Sequence, residues 1–197
     1  ADLAEIDDVV WLSASTAAEL LTRTSDRGQL DVVGDLWSRG RLATRVTALG
    51  RHGKARPRAG WQGGEASRPL TDAGLAQAAA LVPVLAAFGI RELVTSPWER
   101  CLRTVEPYAT RAGLQVVQVE ELTEAAHRDD PGSAVPTVAD HVAQARGAAL
   151  SMHRPVLPTA LDTLADATRK WTIGRLPAAD PYLRPGDVLV AHLTGTG

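Results

Sequence analysis

Arg51, His52 and Gly53 follow a β-prone run, Arg45-Val46-Thr47-Ala48-Leu49-Gly50, and precede a loop rich in glycine, proline and arginine. A histidine at the C-terminal end of a buried strand faces the crevice in which open α/β sheets bind ligands. A neutral imidazole there can attack a phosphoryl group, provided that something neutralises the incoming dianion and fixes the ring. Arg51 would supply the charge, since its planar fork matches phosphate oxygens better than an ammonium does. Gly53 would let the backbone turn and come close to the substrate, where a Cβ would intrude. Taken alone the tripeptide decides little, because one histidine among five is more often a surface or core residue.

Other groups with matching chemistry lie downstream. Ser96-Pro97-Trp98-Glu99 has the pattern of a capping box, with serine at the N-cap, proline at the first helical position and glutamate three residues after the cap. Arg100 would then leave the first turn of a helix whose amide donors and dipole favour an anion. That helix follows the strand-like Glu92-Leu93-Val94-Thr95, which places its start on the sheet edge of His52 and favours phosphate binding over a solvated role. Arg103, one turn further, is assigned to the surface or an outer layer. His153 follows the apolar run Ala148-Ala149-Leu150-Ser151-Met152, the pattern of a fourth buried strand. It could cap a proline-started helix or face the same crevice. Glu124 comes after Leu114-Gln115-Val116-Val117-Gln118-Val119, a strand of alternating polarity. A carboxyl with a raised pKa could protonate a leaving oxygen at neutral pH. Glu120 and Glu121 offer the same chemistry nearby and are expected to be solvated.

Taken in order, these pieces resemble the motifs of the histidine phosphatase superfamily, the phosphoglycerate-mutase-like proteins. Arg51-His52-Gly53 is similar to its strand-end signature. Arg68-Pro69-Leu70-Thr71-Asp72-Ala73-Gly74-Leu75-Ala76-Gln77-Ala78 resembles the segment that opens the first helix, and Ser96 to Thr104 its Ser-x-x-x-Arg-x-x-x-Thr helix start. Leu122-Thr123-Glu124 matches the Leu-x-Glu that carries the acid, and His153-Arg154-Pro155 the second active-site histidine. The resemblance spans roughly residues 44 to 197 and implies a three-layer α/β/α fold with a largely parallel sheet. It implies a phosphohistidine mechanism in which His52 attacks phosphorus, Arg51, Arg100 and His153 hold the oxygens, and Glu124 protonates the leaving group. No cofactor or metal is implied, because the cationic side chains take over that electrostatic role. Arg58 and Arg68, on the loop beside the site, are candidates for further phosphate or substrate contacts. One departure is Gly50, which stands where the family has a β-branched residue and would loosen the strand end.

The elements that must position these groups alternate between β and α. A helix is expected over about 72–88 with Pro83 kinking or dividing it, a second after Ser96, a third from Val138 to Ala149, and a last strand at Asp187-Val188-Leu189-Val190-Ala191-His192-Leu193. His192 reads as a sheet residue, and His127 and His141 as exposed. Cys101, the single cysteine, reads as a buried small hydrophobe and excludes an intrachain disulfide. Metal-ligand spacing of the His-x-x-x-His or Cys-x-x-Cys type, a phosphate-binding Gly-x-x-x-x-Gly-Lys loop and a Gly-x-Ser-x-Gly elbow are absent from the sequence.

Composition sets the outer bounds. The formal charge of −2 over 197 residues argues against nucleic-acid binding by bulk electrostatics. The sequence offers no apolar run of membrane-spanning length and no signal-peptide pattern, so a cytoplasmic protein is expected.

Residues 1–40 stand apart from residues 41–197, the histidine phosphatase domain. Glu5 to Leu12 reads as a strand, Ser13 to Thr22 as a helix and Asp26 to Trp37 as a second helix, a pattern that resembles the end of a Nudix hydrolase domain. The paired glutamates of a Nudix box are missing, so magnesium-dependent catalysis is not expected, and the apolar residues of this segment are expected to pack on the phosphatase domain. Together the two resemblances imply the C-terminal domain of a MutT-like Nudix–histidine phosphatase fusion acting on a small phosphorylated substrate such as a nucleotide. A phosphohistidine-protein phosphatase and a non-catalytic scaffold for a Nudix partner are the alternatives.

Overall fold

The structure is a computed structural model that describes residues 8–144, 146–168, 174 and 176–194. They fall into two compact units, one within Ala1–Thr44 and the other Arg45–Gly195.

In the N-terminal unit, α1 (Ala14–Leu20) starts where the Ser13 side chain accepts a hydrogen bond from the Thr16 amide at 3.2 Å, and α2 (Thr24–Ser38) follows. The strand expected over residues 5–12 does not form across 8–12, and residues 5–7 lie outside the described residues. A β-prone run needs a neighbouring strand for its amides and carbonyls, and no strand lies in this unit among the described residues before Thr44. Neither helix carries a buried residue.

The second unit is built on five strands, β1 (Thr44–Arg51), β2 (Glu92–Thr95), β3 (Val116–Gln118), β4 (Ala148–Met152) and β5 (Val188–Thr194), in the order β3-β2-β4-β1-β5. Pairing is parallel from β3 through β2 and β4 to β1. The Arg51 amide donates to the Asp187 carbonyl at 3.0 Å, which sets the start of β5 against the end of β1, the arrangement of an antiparallel edge strand.

Side chains alternate across this sheet because the strand period is two. Ala48, Leu93 and Ala149 face a core with Leu85, Val105 and Tyr108 of the helices α3 (Asp72–Ala87) and α4 (Glu99–Ala112). Leu49, Val94 and Leu150 face a second core with Val138 of α6 (Val135–Gln144) and Leu161 and Leu164 of α7 (Leu157–Asp166). Each fully buried leucine contributes about 1.5–3 kcal/mol, so both faces of the short central strands are anchored. Helices on both faces give the layer order α/β/α, and the short helix α5 (Glu124–Asp129) follows β3 in the chain.

Three local expectations meet differing outcomes. α3 runs unbroken through Pro83, whose missing N–H leaves the exposed Ala79 carbonyl to water. α6 occupies Val135–Gln144 rather than Val138–Ala149, because Ala148 and Ala149 are recruited into β4 and Gly147, with φ 80°, turns the chain between them. Gly50 sits inside β1, where an added Cβ would find only ordinary contacts of 3.6 Å or more, so the position does not itself require glycine.

The parallel register fixes the site. Arg51 pairs with Met152 and Thr95 with Ser151, so His52, Ser96 and His153 leave the sheet together at the C-terminal ends of β1, β2 and β4. The ladder continues one residue further, the His52 amide donating to Met152 and the Ser96 amide to Ser151, both at 3.1 Å.

Candidate active site

The backbone beyond His52 is held by the segment that opens α3. Thr71 caps that helix by accepting from the Gly74 amide at 3.2 Å and donates its hydroxyl to the Lys54 carbonyl at 2.9 Å. The Gln77 side chain accepts from the Lys54 amide at 2.8 Å. A Cβ on Gly74 would meet the Lys54 carbonyl at 2.2 Å, and one on Gly53 would meet the Gly74 carbonyl at 2.9 Å. Gly53 is therefore needed for close approach to α3. Its amide donates to Thr104 Oγ1 at 2.8 Å, which ties the same turn to α4.

His52 is buried, and its Nδ1 lies 2.7 Å from the Gly53 carbonyl. A carbonyl only accepts, so Nδ1 carries the proton and Nε2 keeps its lone pair. Arg100 Nε donates to that Nε2 at 3.3 Å. Burial first, and then the neighbouring His153, push the His52 pKa down to about 3, leaving the ring neutral. His153, wholly buried, stands edge-on to His52 with ring centroids 5.3 Å apart. Its Nε2 pairs with Ser96 Oγ at 2.8 Å and its Nδ1 lies 3.5 Å from Glu124 Oε1. Burial pushes its pKa down to about 4.

Ser96 Oγ also accepts from the Trp98 amide at 3.3 Å, whereas the Glu99 amide donates to the Ala66 carbonyl at 2.8 Å, so the reciprocal capping box does not form: α4 begins at Glu99 behind an N-cap, Trp98, that makes no side-chain cap bond. Arg100 still emerges from the first turn. Its guanidinium is wholly buried, lies 4.7 Å from the Trp98 ring centroid, and donates from Nη2 to Glu124 Oε1 at 2.9 Å and from Nη1 to the Glu65 carbonyl at 2.6 Å. Arg58 Nη2 reaches Glu124 Oε2 at 2.6 Å. Arg68 is buried and held by Glu65 Oε2 at 3.1 Å and by the Arg56 carbonyl at 2.7 Å.

The structure therefore brings His52, His153, Arg100 and Glu124 into mutual contact, with Arg58 and Arg68 joined through Glu124 and Glu65. Arg51 lines a cavity together with His52 and Glu124, its Nη1 tied to the Leu183 carbonyl at 2.9 Å, while Arg100 and His153 lie fully buried behind them. That cavity, of about 700 Å³, is lined also by Lys54, Arg58, Arg68 and Arg154. Arg154 forms a two-point ion pair with Asp180.

Glu124 does not have the raised pKa expected of an acid. Burial works against its charge, but the hydrogen bond to His153 and the Arg100 guanidinium outweigh that and hold the carboxyl below the usual range. His141 is buried on α6 and His127 half-buried on α5, against the expectation of exposure, while Glu120 and Glu121 are exposed as expected. Arg103 lies on the surface, paired with Glu99 and Glu106. Cys101 is buried, 3.4 Å from His153 Nε2, with its thiol pushed up to about 12 by burial. One nitrogen each of His52 and His153 and a Glu124 oxygen lie within 4.8 Å of one another, a donor set able to hold a divalent metal. The Arg100 charge beside His52 Nε2 opposes a cation there and favours an anion. Sequence reading missed Ser96 and Thr104 as partners of the site and Glu65 as its second carboxylate.

Two neutral buried histidines make stability depend on pH. Unfolded, each takes a proton near its ordinary 6.5, whereas folded it refuses one until about 3 or 4. The unfolded state therefore binds more protons as pH falls through 6.5, and stability declines by about 2 kcal/mol per histidine at pH 5. Glu124, held low, adds a loss of the same sign only below its ordinary 4.5. Urea denaturation at pH 7 and pH 5 measures this, and His153→Gln is expected to remove about half of the difference. Equal stability at both pH values would contradict neutral, buried rings.

The sequence matches the histidine phosphatase superfamily (branch 1) over residues 47–174. An 8-oxo-(d)GTP phosphatase of Mycolicibacterium smegmatis is 34% identical over 126 residues, covering 64% of this chain and 38% of that protein. The chain thus matches well under half the length of that curated relative. A putative phosphohistidine phosphatase SixA from Agrobacterium tumefaciens shares the fold, with TM-score 0.56 at 19% identity over 74% of this chain and 89% of that one. A putative phosphohistidine phosphatase SixA from Nakamurella multipartitia gives TM-score 0.55 at 25% identity over 78% and 87%. Among the described residues no helix is long and apolar enough to cross a membrane.

Proposed function

We propose that this chain, which belongs to the histidine phosphatase superfamily, hydrolyses a phosphate monoester through a phosphohistidine formed on His52. The observation that carries this reading is the state of that ring: buried, neutral, its Nδ1 proton held by Gly53, its Nε2 lone pair beside the Arg100 guanidinium. Nε2 attacks phosphorus as the bond from phosphorus to the leaving oxygen breaks, and Glu124 gives that oxygen a proton. Water then attacks phosphorus, the bond from phosphorus to Nε2 breaks, and the proton from water goes to the Glu124 carboxylate.

Arg100, Arg51 and His153 surround the transferred group and stabilise its charge where it develops. Glu124 is ionised before substrate binds, so it takes up one proton from solvent as the substrate enters and returns one to solvent as phosphate leaves. An incoming dianion competes for Arg58 and Arg100 and adds negative charge beside the carboxylate, and both effects raise its affinity for a proton. The raised pKa of an acid belongs, on this account, to the substrate complex.

The substrate class is a small phosphorylated molecule, and we favour a nucleotide. Support comes from the mycobacterial relative named for nucleotide hydrolysis and from a cavity whose cations, Lys54, Arg58 and Arg154 among them, exceed what one phosphoryl group requires. Residues 1–40 we take as the end of a Nudix domain in a MutT-like parent protein, the remaining chain being the phosphatase domain. A phosphate-release screen over nucleotides, sugar phosphates and a phosphohistidine peptide tests the reading. Release from nucleotides above a His52→Ala control is expected. Preference for the peptide would move the assignment to a protein phosphatase, and no release from any substrate would favour a scaffold.

A further inference from the structure

Glu65 sits at the centre of the cationic cluster, yet the mechanism above gives it no part. Its Oε1 accepts from Arg58 Nε at 3.0 Å, its Oε2 accepts from Arg68 Nε at 3.2 Å and Nη2 at 3.1 Å, and Oε2 lies 3.5 Å from Arg100 Nη2. Its backbone carbonyl takes Arg100 Nη1 at 2.6 Å, and the next carbonyl, Ala66, takes the Glu99 amide at 2.8 Å. One residue thus grips three guanidiniums from the loop and α4, and fastens the loop to the first turn of that helix.

The division of labour between the two carboxylates is specific. Glu65 holds the Nε edge of Arg58, the Nε and Nη2 edge of Arg68, and the Nη1 end of Arg100. Glu124 occupies the remaining Nη2 of Arg58 and of Arg100. When a phosphate displaces Glu124, the arginines keep their Glu65 contacts and stay aimed at the cavity. Arg58 needs this most, since its side chain is 64% exposed and would otherwise swing into solvent. Three like charges held at such short range also repel, and a shared carboxylate offsets that repulsion.

We propose that Glu65 is a positioning residue that holds Arg58, Arg68 and Arg100 in register for the substrate phosphate while Glu124 is displaced and protonated. The inference rests on the phosphohistidine reading. It implies an effect on binding and on the titration of Glu124, which is faced by His52, His153, Arg51, Arg58 and Arg100 and shares the last two with Glu65. Removing the Glu65 charge takes a competing carboxylate from Arg58 and Arg100 and leaves their pairing with Glu124, so the ionised form of Glu124 gains.

Glu65→Gln is expected to raise KM for a phosphate monoester about tenfold, as the loss of charge-assisted bonds implies, with kcat within threefold. The dissociation constant of vanadate, measured by calorimetry, should rise in parallel. The alkaline limb of kcat should move about half a pH unit toward acid, because Glu124 loses its proton earlier. Glu65→Asp, which keeps the charge on a shorter arm, should give a smaller KM increase than Gln, and it serves alone if the Gln variant does not fold. KM and vanadate affinity within twofold of wild type in both variants would overturn the proposal. So would a loss confined to kcat and melting temperature with the limb unmoved, the signature of a merely structural residue. Wild-type turnover that survives His52→Ala would instead count against the mechanistic reading, and vanadate binding would still test Glu65.

Discussion

His52→Ala is expected to lower turnover by at least about 10³-fold on every phosphate monoester the wild-type protein hydrolyses, because removing a nucleophile removes the covalent path itself. The surroundings leave no substitute. His153 has Nε2 engaged with Ser96 and Nδ1 facing Glu124, and Cys101, with its thiol pushed up to about 12, supplies no thiolate at neutral pH. Binding should suffer less than chemistry, since Arg51, Arg58, Arg68 and Arg100 remain in place to hold an anion. Rapid-quench experiments with a labelled substrate should trap the phosphoryl group on wild-type protein as an acid-labile, alkali-stable adduct, and trap none on the variant. A label found on His153, or turnover within tenfold of wild type, would transfer the nucleophilic role to another group.

How much of this was legible in the sequence depended on whether a residue acts through position or through partners. Position was readable: the apolar runs ending at His52, Thr95 and His153 are strands in parallel register, and that register brings the three ends to one edge. The glycines were readable as necessary but not as to why. Gly53 and Gly74 face each other across the turn and the helix, a contact between segments far apart in the chain that no local rule expresses. Ser96 shows the same limit from the other side. Its spacing to Glu99 satisfies the capping-box pattern, but its hydroxyl is shared between the Trp98 amide and a buried imidazole 57 residues away, and the Glu99 amide goes to the Ala66 carbonyl instead. Glu65 lay in a loop read only for its composition, and its partners span residues 58 to 100. The raised pKa expected for Glu124 failed because a sequence does not reveal which cations will pair with a carboxylate when no phosphate is bound.

Glu124→Gln is expected to divide substrates by leaving group. Gln keeps the shape and can still accept from Arg100, so the phosphate pocket should persist and vanadate affinity should change little. What it cannot do is give a proton to a departing alkoxide, a contribution worth about 10²- to 10⁴-fold. An alkyl phosphate, whose leaving oxygen must be protonated, should lose that full factor in kcat. An activated aryl phosphate leaves without help, so its first step should be nearly unchanged. Its second step should slow instead, because the carboxylate that takes the proton from water is gone, and a burst of phenol followed by slow turnover is expected. The alkaline limb of kcat for the alkyl phosphate should disappear together with the group that produces it. The wild-type limb itself should lie well above the usual carboxylate range, since a bound dianion raises a carboxyl that the hydrogen bond to His153 and the Arg100 guanidinium hold low when no substrate is bound. Equal losses on alkyl and aryl phosphates, with no burst, would place the proton donor elsewhere and leave Glu124 as a counter-ion to the arginines.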